Sequence, residues 1–128
     1  MSVLEGLPIV FLGGGAGAAA RHGVGRMTGN WSAITGWPLG TFAVNLTGSL
    51  FLGLLAGLAE RGLGPAIQLL LGTGVAGGYT TFSSLSYESV RMAEEGRWRD
   101  ALLNPAASLV LGFLAFAGGL ALTQGAGL

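Results

Sequence analysis

The chain has 128 residues, of which six are basic, six are acidic and 51% are hydrophobic. A soluble domain carries about a quarter charged residues, so this composition excludes an ordinary water-soluble domain and indicates a membrane protein. The formal net charge is zero, which gives no reason to expect nucleic acid as a partner. The absence of cysteine and the single histidine, His22, exclude disulfides, thiol catalysis and a multi-histidine metal site within one chain.

Long tracts without charge predict four membrane-spanning helices. The uncharged tracts are 6–20, 27–59, 62–87 and 101–128, and a spanning helix needs about 20 mostly apolar residues. The first tract becomes long enough if Arg21 extends its side chain to the interface. We therefore predict one four-helix domain over residues 1–128, with spans at about 7–24, 39–58, 66–92 and 101–122.

Small residues in the first two spans indicate close helix packing. The run Gly13–Gly17 superficially matches a dinucleotide-binding loop, but no acidic residue follows about 20 positions later and apolar residues flank it, which favours a packing face. In the second span, small and polar residues recur at every fourth position and so share one helical face. They are Thr41, Asn45, Ser49, Gly53 and Gly57. Gly53 to Gly57 is a GxxxG motif, which favours close contact with another helix.

Two features in the middle of the spans have more than one interpretation. Asn45 lies near the centre of an apolar span, where an amide is costly unless paired, so it is either functional or a hydrogen-bonding link between helices. The third span contains four glycines between 72 and 78, followed by Tyr79, Thr80 and Thr81, which is a poor sequence for a continuous helix. It indicates either a break that lines a cavity or a helix that packs tightly.

The polar residues within the spans are neutral, which favours an anion as cargo. Ser83 and Ser108 offer hydroxyls, and no acidic residue lies deep in any span, Glu88 being the nearest. A proton-coupled exporter generally needs a carboxylate in the membrane, and a cation pathway more often uses rings of carboxylates. Arg21 either concentrates anions at a pore mouth or is an interfacial anchor.

The chain resembles the Fluc (CrcB) family of fluoride channels. The resemblance covers nearly the whole chain, and its most specific part is Gly77-Gly78-Tyr79-Thr80-Thr81-Phe82-Ser83. The other matching segments are Gly13 to Gly17 with Arg21, Pro38 to Thr41, Val44 to Leu46 with Gly48 and Ser49, Glu95 to Arg97, and Ala101 to Asn104.

The resemblance implies an all-α membrane protein that exports fluoride passively across the cell (inner) membrane and is not an enzyme. Its subunits have four transmembrane helices, the third broken near its middle, and form an antiparallel dual-topology dimer with two pores. The partner would be a second copy of the chain or a paralogous chain. A structural, untransported Na+ would bind the backbone carbonyls of Gly77 and Thr80.

The resemblance also implies a fluoride pathway. Its residues would be Asn45, Phe82, Ser83, Ser108, Thr41, Leu85 and Arg21. One position departs from the family pattern, since Leu85 stands where the family has a second pore phenylalanine. Two alternatives remain: a small four-helix multidrug or cation exporter, which would need a carboxylate inside the first span, and a non-conducting assembly subunit.

Overall fold

The computed structural model describes residues 2–124, and all their regular secondary structure is helical. The helices are α1 (Val3–Thr35), α2 (Leu39–Glu60), α3 (Pro65–Gln68), a π-helix (Leu69–Ala76), α4 (Gly77–Tyr79), α5 (Ser83–Glu94) and α6 (Trp98–Gln124). By length and composition, α1, α2 and α6 are each long and apolar enough to cross a membrane. Between α2 and α6 the segment 65–94, called the third pass below, is divided into several shorter helices. The predicted all-α architecture is confirmed, and three of the four predicted spans coincide with helices long and apolar enough to cross a membrane.

Helix α1 continues well past the predicted end of the first span. Its start is fixed by a capping box, in which Ser2 Oγ accepts from the Glu5 amide at 3.3 Å and Glu5 Oε2 accepts from the Ser2 amide at 3.4 Å. It ends at Gly36, which has φ 73°. Between 24 and 35 there is no proline or left-handed residue to stop the helix. Consequently residues 25–35, which follow the predicted first span, are a helical extension of it.

The two glycine motifs are confirmed as packing faces. A Cβ added at Gly53 would collide with the backbone of α6 at Phe116, and one added at Gly57 would collide with Thr123. A Cβ added at Gly13 would lie 2.5 Å from the Leu70 carbonyl oxygen of the π-helix. Glycine is therefore required where α2 meets α6 and where α1 meets the third pass.

The third pass is interrupted near its centre. Helix α4 ends at Tyr79, Thr80 is extended with φ −80° and ψ 159°, and α5 begins at Ser83. The break, which is one of the two interpretations of the glycine- and threonine-rich segment and the one that the resemblance implies, is confirmed, and a continuous, tightly packed helix is excluded. The π-helix before the break is an addition that the residue pattern did not predict.

Candidate ion pathway and helix break

The side chain of Asn45 holds the break in place. Its Nδ2 donates to the Thr81 carbonyl oxygen at 2.8 Å, and its Oδ1 accepts from the Thr81 amide at 2.8 Å. One amide thus replaces both hydrogen bonds that Thr81 loses when the helix opens, as buried backbone groups require. These two hydrogen bonds use only one of the two N–H groups on Asn45 Nδ2. Asn45 therefore links two helices and retains a donor that an anion could use.

Two backbone carbonyls lose their helical partners at the break. In a continuous helix the Thr81 amide would donate to Gly77 and the Ser84 amide to Thr80. Here the Thr81 amide donates to Asn45, and the Ser84 amide donates to Thr81 Oγ1 at 3.1 Å. The carbonyl oxygens of Gly77 and Thr80 are thereby released from the helical pattern. These are the two groups that the family resemblance assigns to sodium.

Helix α2 also supports the residues just before the break. Thr47 Oγ1 and the Tyr79 hydroxyl lie 2.8 Å apart in a hydrogen bond. Thr80 Oγ1 donates to the Ala76 carbonyl at 2.9 Å, and the Thr80 methyl group lies against Gly48. The backbone of α1 approaches from the other side, since a Cβ added at Gly78 would collide with Gly14. The residues just before the interruption are thus packed against α1 and α2, which provide part of the protein cover that non-helical backbone in a membrane requires.

A polar cleft of about 610 Å³ lies among α1, α2 and α5. Arg21 and His22 line it from α1, Thr41 from α2, and Glu88 from α5, with Thr81 at the break also among its walls. Thr41 Oγ1 donates to Glu88 Oε1. The second carboxylate oxygen of Glu88 is buried and has no hydrogen-bond partner within residues 2–124. The cleft therefore gathers cationic, hydroxyl and carboxylate groups next to the break.

A second set of buried polar groups lies on α6, where Asn104 and Ser108 are one turn apart. Asn104 is 1% exposed, and its Nδ2 donates to Ser89 Oγ at 3.2 Å. Asn104 Oδ1 and Ser108 Oγ are buried without a hydrogen-bond partner in the described range. Since buried polar atoms are normally paired, these two atoms indicate water or another small polar species between the helices.

The remaining predicted pathway residues lie at the start of α5. Phe82 is 81% exposed on the single chain. Ser83 is also exposed, and its Oγ lies 3.3 Å from Thr81 Oγ1. Leu85 is partly buried. Asn45 and Ser83 thus both contact Thr81, Arg21 and Thr41 line the cleft, and Ser108 lies apart on α6.

Sequence reasoning gave no site role to Glu88, Ser84 or His22, all of which line the cleft. For two of them a signal existed. Thr81, Ser84 and Glu88 are spaced by three and four residues, so they share one face of a helix. His22 gave no such signal, because its place in the cleft depends on how α1 packs.

The fold and these polar groups define a multi-pass membrane protein with an interrupted helix and neutral polar side chains at the interruption. The family model for CrcB-like proteins, described as Camphor Resistance (CrcB), matches residues 8–120. The chain belongs to this family.

Similar proteins carry the name fluoride-specific ion channel FluC. The one from Maridesulfovibrio salexigens is 44% identical over 112 residues, covering 86% of this chain and 88% of the relative. The one from Novosphingobium aromaticivorans is 43% identical over 121 residues, covering 91% and 94%. The one from Phenylobacterium zucineum is 41% identical over 124 residues, covering 94% and 97%.

Proposed function

We propose that this chain is a fluoride-specific ion channel that exports fluoride passively across the cell (inner) membrane and lowers its intracellular concentration. The observation that carries the proposal is the near full-length match to relatives called fluoride-specific ion channels. The geometry supports it, because the interruption in the third pass lies among amide and hydroxyl groups. Such groups replace the hydration shell of a small anion by donating hydrogen bonds.

The pathway proposed for fluoride begins in the polar cleft. Arg21 raises the local anion concentration there, and Thr41 offers a hydroxyl. The ion then passes Asn45 and Ser83 at the break, with the positive ring edge of Phe82 beside it. Leu85 excludes water, and Ser108 contributes a further hydroxyl. The active form is a dimer, either an antiparallel homodimer or a pair with a paralogous chain.

A structural sodium ion fits the break. Sodium is a hard cation that carbonyl oxygens hold well, and the helix break releases the carbonyls of Gly77 and Thr80 from their usual donors. Gly77 is exposed on the single chain, and nothing lies within 4 Å of a Cβ added to it, so a second subunit has room to approach. The ion would tie two subunits together and would not be transported.

The exporter alternative receives no support from the position of Glu5. A proton-coupled exporter would need a carboxylate inside the first span. Glu5 instead lies in the first turn of α1, is exposed, and bonds to the Ser2 amide as part of the capping box. The relatives' printed names also describe channels.

Fluoride efflux from liposomes tests the proposal. Purified protein is reconstituted into vesicles loaded with potassium fluoride, and valinomycin is added so that potassium can follow the anion. A fluoride electrode should record rapid efflux that requires the protein, and a chloride electrode should record none from matched chloride-loaded vesicles. Flux that requires a proton gradient would support an exporter. The absence of any flux would support a non-conducting assembly subunit.

A further inference from the structure

We propose that Gly48 is a positioning residue for the sodium site, because its missing side chain is what allows Thr80 to hold its carbonyl at the helix break. The inference rests on the sodium site of the proposed function. It concerns the side of Thr80 that faces α2.

The contact between Gly48 and Thr80 leaves no space for a larger residue. Gly48 is buried, and a Cβ added there would collide with Thr80 Cγ2, well inside the 3.0 Å that real Cβ atoms keep from other atoms. The next neighbours of that Cβ are more distant, with Tyr79 Cδ2 at 3.3 Å and Thr80 Cβ at 3.7 Å. A single methyl group, Thr80 Cγ2, therefore accounts for most of the conflict.

The Thr80 side chain cannot easily turn away from α2. Threonine is branched at Cβ and has few χ1 choices. Its Oγ1 donates to the Ala76 carbonyl at 2.9 Å, and the Thr80 amide donates to the same carbonyl at 3.0 Å. Rotating the methyl group away from Gly48 would move Oγ1 from its acceptor. We therefore expect the clash to displace the backbone of Thr80.

A shift of the Thr80 backbone would act directly on the proposed sodium ligand. The Thr80 carbonyl belongs to the same residue that Gly48 accommodates. Asn45, one turn earlier on α2, fixes the neighbouring Thr81 through two hydrogen bonds of 2.8 Å. Helix α2 thus holds one side of the break at two points, by hydrogen bonds to Thr81 and by close packing against Thr80.

Sodium binding separates this role from ordinary packing. We would measure equilibrium binding of radioactive sodium to the detergent-solubilised dimer, and its thermal unfolding with and without sodium, using N-methylglucamine as the replacement cation. An ion that binds only the folded dimer raises the unfolding temperature as its concentration rises. A change that affects packing alone would lower stability equally in both salts.

Four variants make the test specific. Gly48→Ala should weaken sodium binding by about tenfold or more, which corresponds to about 1.4 kcal/mol. Thr80→Ser removes only Cγ2 and keeps the hydroxyl, so it should bind sodium nearly as the parent does. The double variant should recover the parent affinity, since the added methyl then has no methyl to meet. Gly15→Ala, where nothing lies within 4 Å of an added Cβ, serves as the control.

Each outcome either supports or overturns the positioning role of Gly48. Parent-like sodium affinity in Gly48→Ala, or failure of Thr80→Ser to restore it, overturns the inference. If Gly48→Ala alone does not fold, a folded double variant with parent affinity supports the inference and an unfolded one overturns it. A parent protein that conducts fluoride but binds no sodium overturns both the sodium site and this inference, and leaves the channel proposal standing.

Discussion

At the scale of single residues, the interaction of Asn45 with Thr81 determines what a substitution at position 45 means. The amide both accepts from and donates to the backbone of Thr81, and it keeps one further donor. A role in helix linkage and a role in anion contact are therefore compatible. The sequence left these as alternatives, because the partner of Asn45 lies 36 residues away and depends on how the third pass packs against α2.

Asn45→Asp separates the two kinds of group on this side chain. The aspartate keeps an acceptor for the Thr81 amide, but it loses the donor to the Thr81 carbonyl and places a negative charge where fluoride would pass. We expect fluoride efflux to fall by at least about tenfold, equivalent to 1.4 kcal/mol or more in the barrier. Asn30→Asp adds the same charge at an exposed position of α1 and should conduct normally. Unchanged efflux in Asn45→Asp would show that Asn45 only links α2 to the helix break and does not contact the permeating anion.

Phe82 and Leu85 form the second test at this scale. Only Phe82 carries a ring with a positive edge, and it is 81% exposed on the single chain, whereas Leu85 is partly buried. We expect Phe82→Ile to remove most of the fluoride flux without unfolding the protein, because one apolar side chain replaces another. Leu85→Phe should be tolerated or raise the flux. Both variants would be compared by efflux, with size-exclusion chromatography as the check on assembly. Full activity in Phe82→Ile would contradict the role of the ring.

At the scale of helices, glycine position decides which helices come together. The GxxxG segment of α2 packs on α6, where Gly53 meets the Phe116 backbone and Gly57 meets Thr123. Glycine in a helix interior costs about 1 kcal/mol relative to alanine. Replacing a glycine that has open surroundings by alanine should therefore leave stability unchanged or raise it. Replacing a glycine that lies in a helix contact should lower stability.

Gly53→Ala and Gly118→Ala make a matched pair on the two partner helices. Alanine at 53 would collide with backbone atoms of α6 that cannot move independently, whereas nothing lies within 4 Å of an added Cβ at 118. We expect Gly53→Ala to lower the thermal unfolding temperature in detergent. Gly118→Ala should leave it unchanged or raise it slightly, by the helix propensity of alanine. Equal destabilisation in both would show that the α2–α6 contact is not the cause.

The third pass shows how far sequence reasoning reaches at this scale. The density of glycine and threonine around 72–81 left a break and a tightly packed helix as alternatives, the family resemblance favoured the break, and the break lies at 80–82. The π-helix at Leu69–Ala76 was not predicted. It has no local residue signature of its own, and it lies where the third pass packs on Gly13 and Gly17 of α1. Composition indicated where a regular helix is weak, and the packing of the third pass against α1 and α2 determined that it breaks there.

At the scale of the whole molecule, hydrogen bonds join polar groups at two ends of the helix bundle. Arg97 Nη2 donates to the Gly36 carbonyl at 3.0 Å, which joins the α1–α2 loop to the α5–α6 loop. At the other end, Gln124 Nε2 donates to Glu60 Oε2 at 2.6 Å. The end with Arg97 also carries Arg91 and Arg99, and the opposite end carries Arg61. The arginine count alone would favour one orientation, with the Arg97 end in the cytoplasm.

Ion pairs weaken that bias. Arg91 lies 3.6 Å from Glu95, and Arg97 Nη2 lies 2.9 Å from Asp100. If this pairing reduces the difference in arginine charge between the two ends, both orientations would be accessible, as an antiparallel homodimer would need. A paralogous partner would instead allow this chain a single orientation.

Cysteine labelling in cells decides between dual and single orientation. The chain has no cysteine, so one introduced thiol reports alone. Gly96 is a poor site because its φ of 79° suits glycine, so we choose Glu94→Cys at the Arg97 end and Ala66→Cys at the other, both exposed. A membrane-impermeant maleimide added to intact cells should label part of each population, and permeabilisation should expose the rest. The two labelled fractions should add up to about the whole, because each chain presents one end or the other. Labelling of one variant only would establish a fixed orientation and require a paralogous chain to complete the antiparallel pair.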